Sequence, residues 1–203
     1  FGRLAGVKTR TLQAQYQYDP LGRRLGKTVH VNGTFRDAQE QQRADASMGY
    51  GTTVFGWDGD LMSLELGRRN EVLHSVFEIN SFAPLLEIAK ANWNSAKPSV
   101  THIQCDHLNT PKELTDQQGS IISRANWLAF GAILANDDID GSHDSGKNKT
   151  NNFRLPGQYY DIETGIHYNR FRYYDPKNAR YLNKDPIGSV SYTHLTLPTS
   201  DLV

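Results

Sequence analysis

The 203-residue chain has one cysteine, no excess of either charge and no long apolar run, and each absence closes a class of function. Cys105 has no partner for an internal disulfide, and one cysteine without further converging ligands makes no structural zinc site. No metal and no cofactor are expected. Lysine plus arginine total 22, as do aspartate plus glutamate, so no basic field gathers phosphates and nucleic acid is not an expected partner. No apolar stretch approaches the roughly 20 residues of a membrane span. The chain opens on Phe1 without a charged-then-apolar leader, so neither a signal peptide nor a membrane span is expected, and the sequence reads as a soluble fragment. Long helix-forming runs are scarce as well.

What is present is β-forming. There are 17 glycines and 10 tyrosines, and short alternating segments are cut by turn signals every 10 to 20 residues. Leu12, Ala14, Tyr16 and Tyr18 alternate before Asp19-Pro20-Leu21-Gly22, a β-turn signature, and a second strand follows through Thr28–Val31. Asn32-Gly33 and Asp58-Gly59 are hairpin signals, and Arg36–Met48 is a polar loop or short surface helix. Further strands are expected over Thr52–Trp57, Leu61–Leu66, Val72–Ile79, Pro84–Ala91 and Val100–His107. A hairpin is expected over Leu114–Ala132, with Trp127–Phe130 in its return strand. The pattern predicts an all-β antiparallel meander. Tyr18-Asp19-Pro20 and Tyr174-Asp175-Pro176, each followed by arginine, suggest a repeat architecture rather than a closed sandwich. Residues 136–152 have almost no apolar content and read as a mobile polar loop.

The densest stretch is Phe153–Gly188, which holds six of the ten tyrosines and the pairs Asp175-Pro176 and Asp185-Pro186. Aspartate before proline is the ordinary first residue of a type I turn. Two carboxylates ten residues apart across a turn are also the raw material of an acid/base pair, one activating water while the other donates to a peptide carbonyl. Arg180 lies between them, placed either to pair with one carboxylate or simply at the surface. The residues alone leave turn and catalysis both open.

Tyr16–Lys27 (YQYDPLGRRLGK), Phe55–Leu61, Cys105–Gly119, Trp127–Leu134 and all of Phe153–Gly188 resemble the rearrangement hotspot (Rhs) or YD-repeat family, specifically its C-terminal core region. The resemblance covers most of residues 10–188. It implies an antiparallel YD-repeat meander forming a segment of a hollow, cocoon-like β shell, exported from a bacterial cell by secretion machinery and found secreted or at a cell surface. It further implies that the shell encloses a C-terminal toxin domain, absent from this chain. In the intact parent, release would come from aspartyl autoproteolysis carried by Asp185, with Asp175 and Arg180. By the same resemblance the sequence divides into YD-repeat strands (1–135), the polar loop (136–152), the core C-terminal motif (153–188) and a non-native, adapter-like tail (189–203). Three positions depart from the family pattern. Asn109 and Ala179 stand where glycine is usual, and Ser189 follows Gly188 where leucine is expected at the scissile bond, so this fragment is expected to be inactive.

Other constellations weigh less. Strand alternation turns His102 and Asp106 to one face and Cys105 and His107 to the other, which disfavours a metal site. Residues 136–141 have a calcium-loop start, but the twelfth position is Lys147 rather than glutamate. The ladder Tyr159, Tyr160, Tyr168, Phe171, Tyr173, Tyr174 and Tyr181 fits cross-strand packing or, in an alternative reading of the whole chain as a cell-surface carbohydrate-binding or adhesion module, stacking on glycans. No Gly-x-Ser-x-Gly elbow accompanies the serines and histidines.

Overall fold

The computed structural model describes residues 3–95, 97–137 and 151–184, with 133–137 by backbone alone. Eleven strands form one sheet in strict chain order. They are β1 (Gly6–Lys8), β2 (Leu12–Tyr18), β3 (Arg24–Val31), β4 (Thr52–Asp58), β5 (Leu61–Leu66), β6 (Val72–Phe77), β7 (Pro84–Lys90), β8 (Ser99–Cys105), β9 (Pro111–Thr115), β10 (Ile121–Trp127) and β11 (Ile133–Asp137). Four short strands form a second sheet, again in chain order: β12 (Tyr159–Asp161), β13 (Ile166–Asn169), β14 (Arg172–Asp175) and β15 (Arg180–Tyr181). The pairings are antiparallel, as the alternation predicts.

One turn recurs through the large sheet. At 19–23, 67–71, 106–110, 116–120 and 128–132, the first N–H donates to the fifth carbonyl and the fourth N–H donates back to the first. The fourth residue is left-handed each time, with φ of 88° at Gly22, 62° at Asn70, 60° at Asn109, 82° at Gly119 and 80° at Gly131. This is a three-residue hairpin closed by a glycine-type bulge; beyond the 19–23 copy a second bulge, at Leu25, slips the register by one residue between Gln17 and Tyr18. Where the first residue is aspartate its carboxylate adds bonds to following amides: Asp19 to Arg23, Asp106 to Leu108 and Thr110, Asp116 to Gln118 and Ser120. Asparagine serves at position 109 because its short polar side chain tolerates this region.

Two local expectations are corrected. Asn32-Gly33 makes no hairpin; Asn32 donates to the carbonyls of Thr9 and Thr11, and the chain passes into helix α1 (Ala38–Met48) before β4 returns beside β3. Asp37 caps that helix through the Glu40 amide, and buried Asp45 ties it down by accepting from the Val31 amide at 2.7 Å. The strand expected to run through Trp127–Phe130 stops at Trp127, because 128–132 is another copy of the bulged turn. Of the polar loop expected over 136–152, Asn136 and Asp137 belong to β11, paired with Ala125 and Arg124, and 138–150 lie outside the described residues.

The small sheet packs on one face of the large one. Phe55 and Met62 from β4 and β5 bury against Phe153, Tyr159, Tyr168 and Tyr173. A second cluster, Leu12, Ala14, Tyr16 and Val29, continues that core across β2 and β3.

Candidate functional site

The C-terminal sheet carries the sequence-predicted site, and charge buried at its seam holds it in place. Arg24 is the centre of that seam. A bulge at Leu25 turns Arg24 inward, leaving it fully buried, and its Nη1 lies 2.6 Å from Oδ2 of Asp161, also fully buried. The rest of the guanidinium faces rings: its carbon lies 4.4 Å from the centroid of Tyr168, 4.7 Å from Phe55, 5.3 Å from Tyr159 and 5.4 Å from Tyr16. Burial opposes the arginine's charge, but the charge and hydrogen bond of Asp161, with Tyr173 and Tyr159 beside it, together outweigh burial and hold the pKa well above the usual value. Lys27, two residues past the bulge, reaches Asp161 at 3.3 Å and Glu163 at 2.9 Å. Two cations of β3 therefore meet two carboxylates of the β12–β13 hairpin.

Hydroxyl bonds extend the seam. Tyr168 accepts from the Arg24 amide at 3.0 Å and donates to the Gly22 carbonyl at 3.2 Å. Tyr18 and Tyr173 share a 2.6 Å bond, and Tyr159 donates to Glu65 at 2.8 Å. Burial pushes the Glu65 carboxyl up to about 7. Buried His167 shares a 2.7 Å bond with Gln158, and burial with the Arg154 charge lowers its pKa to about 4, so it is neutral.

Two of the expected catalytic residues, Asp175 and Arg180, sit at the far end of this sheet. Asp175 closes β14 and stands opposite Arg180 of β15. Its Oδ1 accepts from the amides of Lys177 at 3.0 Å and Asn178 at 3.3 Å, and its Oδ2 from the Asn178 side chain at 2.7 Å. The Asn178 side-chain bond leads the effects that hold its pKa below the ordinary carboxylate value; those amides and the charge of exposed Arg180 add to it. Ala179, in the place of the family's glycine, adopts a left-handed φ of 52°, a strained conformation for alanine. Asp185, Ser189 and the tail lie outside the described residues, so Asp175 and Arg180 are the two site residues brought together here.

Most of the aromatic ladder is packing. Tyr159, Tyr168 and Tyr173 stand in register across three strands and are buried, and Tyr174 lies against His167 and Tyr181. Their ring faces are therefore not available to a sugar; Phe171 and Tyr181 are the exposed members. Asp106 is committed to its turn, and Cys105 approaches the Pro84 carbonyl at 3.5 Å. Among the described residues no three His, Cys, Asp or Glu side chains converge as a metal site.

Sequence reading did not single out Lys27, Glu65, Asp161 or Glu163, nor the role of Arg24. The available signal was weak: an arginine and a lysine inside a strand whose neighbours alternate towards a core.

No family model matches the chain. It is 32% identical to the toxin protein Tse5 of Pseudomonas aeruginosa, over 87% of this chain and 14% of that protein. It is 30% identical to the double-stranded DNA deaminase toxin A of Burkholderia cenocepacia, over 87% of this chain and 12% of that one. The crystal structure of TcdB2-TccC3 shares the fold with a TM-score of 0.61 at 20% identity, covering 88% of this chain and 8% of that one. The chain thus spans about an eighth of the curated relatives it matches. A strictly sequential meander with one recurring bulged turn, matched over 87% of its length to these toxins, makes this chain a member of the Rhs/YD-repeat family of polymorphic toxins.

Proposed function

We propose that this chain is a shell segment from the end of an Rhs core, that the shell encloses a toxin domain carried downstream in the longer parent, and that the parent frees this cargo by cutting itself beside Gly188. The observation that carries the reading is the β14–β15 hairpin, which holds Asp175 opposite Arg180 in a sheet latched through buried charge to the meander. A carboxylate kept ionised by three donors suits the base of an aspartyl pair. It would take a proton from water while Asp185, protonated, donates to the scissile carbonyl. The turn role of Asp175 and its catalytic role then coincide: the same bonds that close the turn aim the carboxylate.

Placing the toxic chemistry outside this chain is supported by the shares of length. A relative named for DNA deamination shares only 12% of itself with this chain. The four-part division belongs to the same reading, with the strands carried past 135 to Asp137 by β11: strands, a polar loop, the core motif over 153–188 and a foreign tail from 189. With Ser189 in place of leucine, this chain lacks the proper bond and does not cut itself. Export from a bacterial cell through secretion machinery belongs to the same reading. Among the described residues no helix is long and apolar enough to cross a membrane.

The test is to express the parent gene through its downstream domain and measure intact masses for the wild type, Asp185→Asn and Asp175→Asn. The wild type should split within a few residues of Gly188, and both variants should remain one chain. A wild type that stays whole, or variants cut as efficiently, would remove the self-cleavage reading.

A further inference from the structure

A second buried arginine, Arg154, has no carboxylate. It is 3% exposed, and its Nη1 donates to the carbonyls of Asn151 at 2.6 Å and Phe153 at 2.8 Å. The guanidinium is sandwiched between Trp127 and Tyr160, 4.8 and 4.4 Å from their centroids. Its Nε has no partner, and neither has the buried Nδ2 of Asn151 beside it. Arg154 and Asn151 line a cavity of about 260 Å³ between β9–β10 of the large sheet and the start of the small one, with the two idle donor atoms buried just behind its wall. Ile162 and Leu114 add apolar wall, and half-exposed Lys112 stands at the rim. Glu113, the carboxylate on that lining, is taken by Arg124 at 2.7 Å. Trp127 is fixed by its Nε1 bond to the Pro111 carbonyl at 2.7 Å, so the stacking wall is preformed. With no anion beside it, burial lowers the Arg154 pKa to about 10, the reverse of Arg24.

An uncompensated buried guanidinium with an idle amide donor next to it, at the wall of a mostly apolar cavity, is complementary to a carboxylate with an aliphatic stem. We propose that this cavity is a carboxylate-binding site, in which Arg154 and Asn151 hold the carboxylate oxygens while Trp127, Tyr160 and Ile162 cover the adjoining aliphatic carbons. The fit is to an acidic side chain of a peptide. Taking that peptide to be the enclosed cargo rests on the shell reading above; the site itself does not.

The test titrates this chain, without cargo, with N-acetyl-glutamate methylamide and with its glutamine analogue, following the Trp127 indole N–H and the Arg154 Nε–H by ¹⁵N NMR. The glutamate compound should shift both signals saturably, and the glutamine compound should not. Arg154→Lys, which keeps the charge but loses the planar fork, should weaken binding by about tenfold or more. Lys112→Met, an exposed change that leaves the fold intact, should weaken it by about two- to threefold. Acetate binding as tightly as the glutamate compound would keep the carboxylate site and move its source to a free small acid. No saturable shift, or an equal response to the glutamine analogue, would overturn the proposal. Because the cargo is absent throughout, that failure is separable from failure of the shell reading.

Discussion

The two sheets of this molecule are held by different means. In the large one, each strand pairs with its neighbour in sequence, and five of the ten joints are copies of one five-residue turn with glycine or asparagine at its fourth place. The small sheet is fastened by side chains far apart in sequence: Arg24 to Asp161 across 137 residues, Tyr18 to Tyr173 across 155 and Tyr159 to Glu65 across 94. A meander of local turns is extensible, since each hairpin needs only the next. A closing element needs specific long-range contacts, and here those contacts are ionic and phenolic rather than aliphatic. Fixed partners of that kind set one position for the hairpin that carries Asp175.

Breaking the seam should cost most. Asp161→Ala leaves Arg24 buried without its anion and should destabilise the chain by about 3–5 kcal/mol in denaturant unfolding. Replacing both ends, Arg24→Met with Asp161→Leu, should recover most of that loss, because the penalty lies in the orphaned charge rather than in the absence of the pair. Next, Tyr168→Phe removes the hydroxyl that accepts from the Arg24 amide and should cost about 1–3 kcal/mol in the same assay.

The seam also gives a pH signature. The folded pKa of Glu65, about 7, lies above its ordinary 4.5, so the folded chain binds the extra proton. That contribution is full below pH 4.5 and is lost as pH rises through about 7. His167, depressed from 6.5 to about 4, works oppositely and favours the unfolded chain as pH falls. The comparison of Glu65→Gln with wild type separates them: the variant should gain relative stability between pH 5 and 8, by an amount of order 1 kcal/mol, measured by thermal melts across pH. In the meander, Asp116→Ala removes two turn bonds at an exposed site and should cost about 0.5 kcal/mol, the smallest effect of the set.

These differences track what the sequence discloses. The meander was legible because its signals are local: alternation in Leu12–Tyr18, the Asp-Pro-Leu-Gly turn, and glycine or asparagine where φ must be positive. Local rules misled at Asn32-Gly33, where ties to Thr9 and Thr11 replace a hairpin, and at Trp127, where a bulged turn interrupts an apolar run. The seam was not legible, because nothing near Arg24 in sequence indicates that Asp161 will face it. At the candidate site, the sequence left Arg180 open between a carboxylate partner and a surface residue, and only the β14–β15 register places it opposite Asp175; the left-handed φ of Ala179 fits its reading as a glycine position. That the carboxylate is held ionised required the Asn178 side chain to be seen in place.

The Arg24–Asp161 seam makes the C-terminal sheet a separately docked closure. Native-state amide hydrogen exchange in wild type and Asp161→Asn tests it most directly. Protection in β13 and β14 should fall by about a hundredfold or more in the variant, while amides of β7 to β9 keep theirs. Equal loss across both sheets, or unchanged protection in the small one, would contradict it.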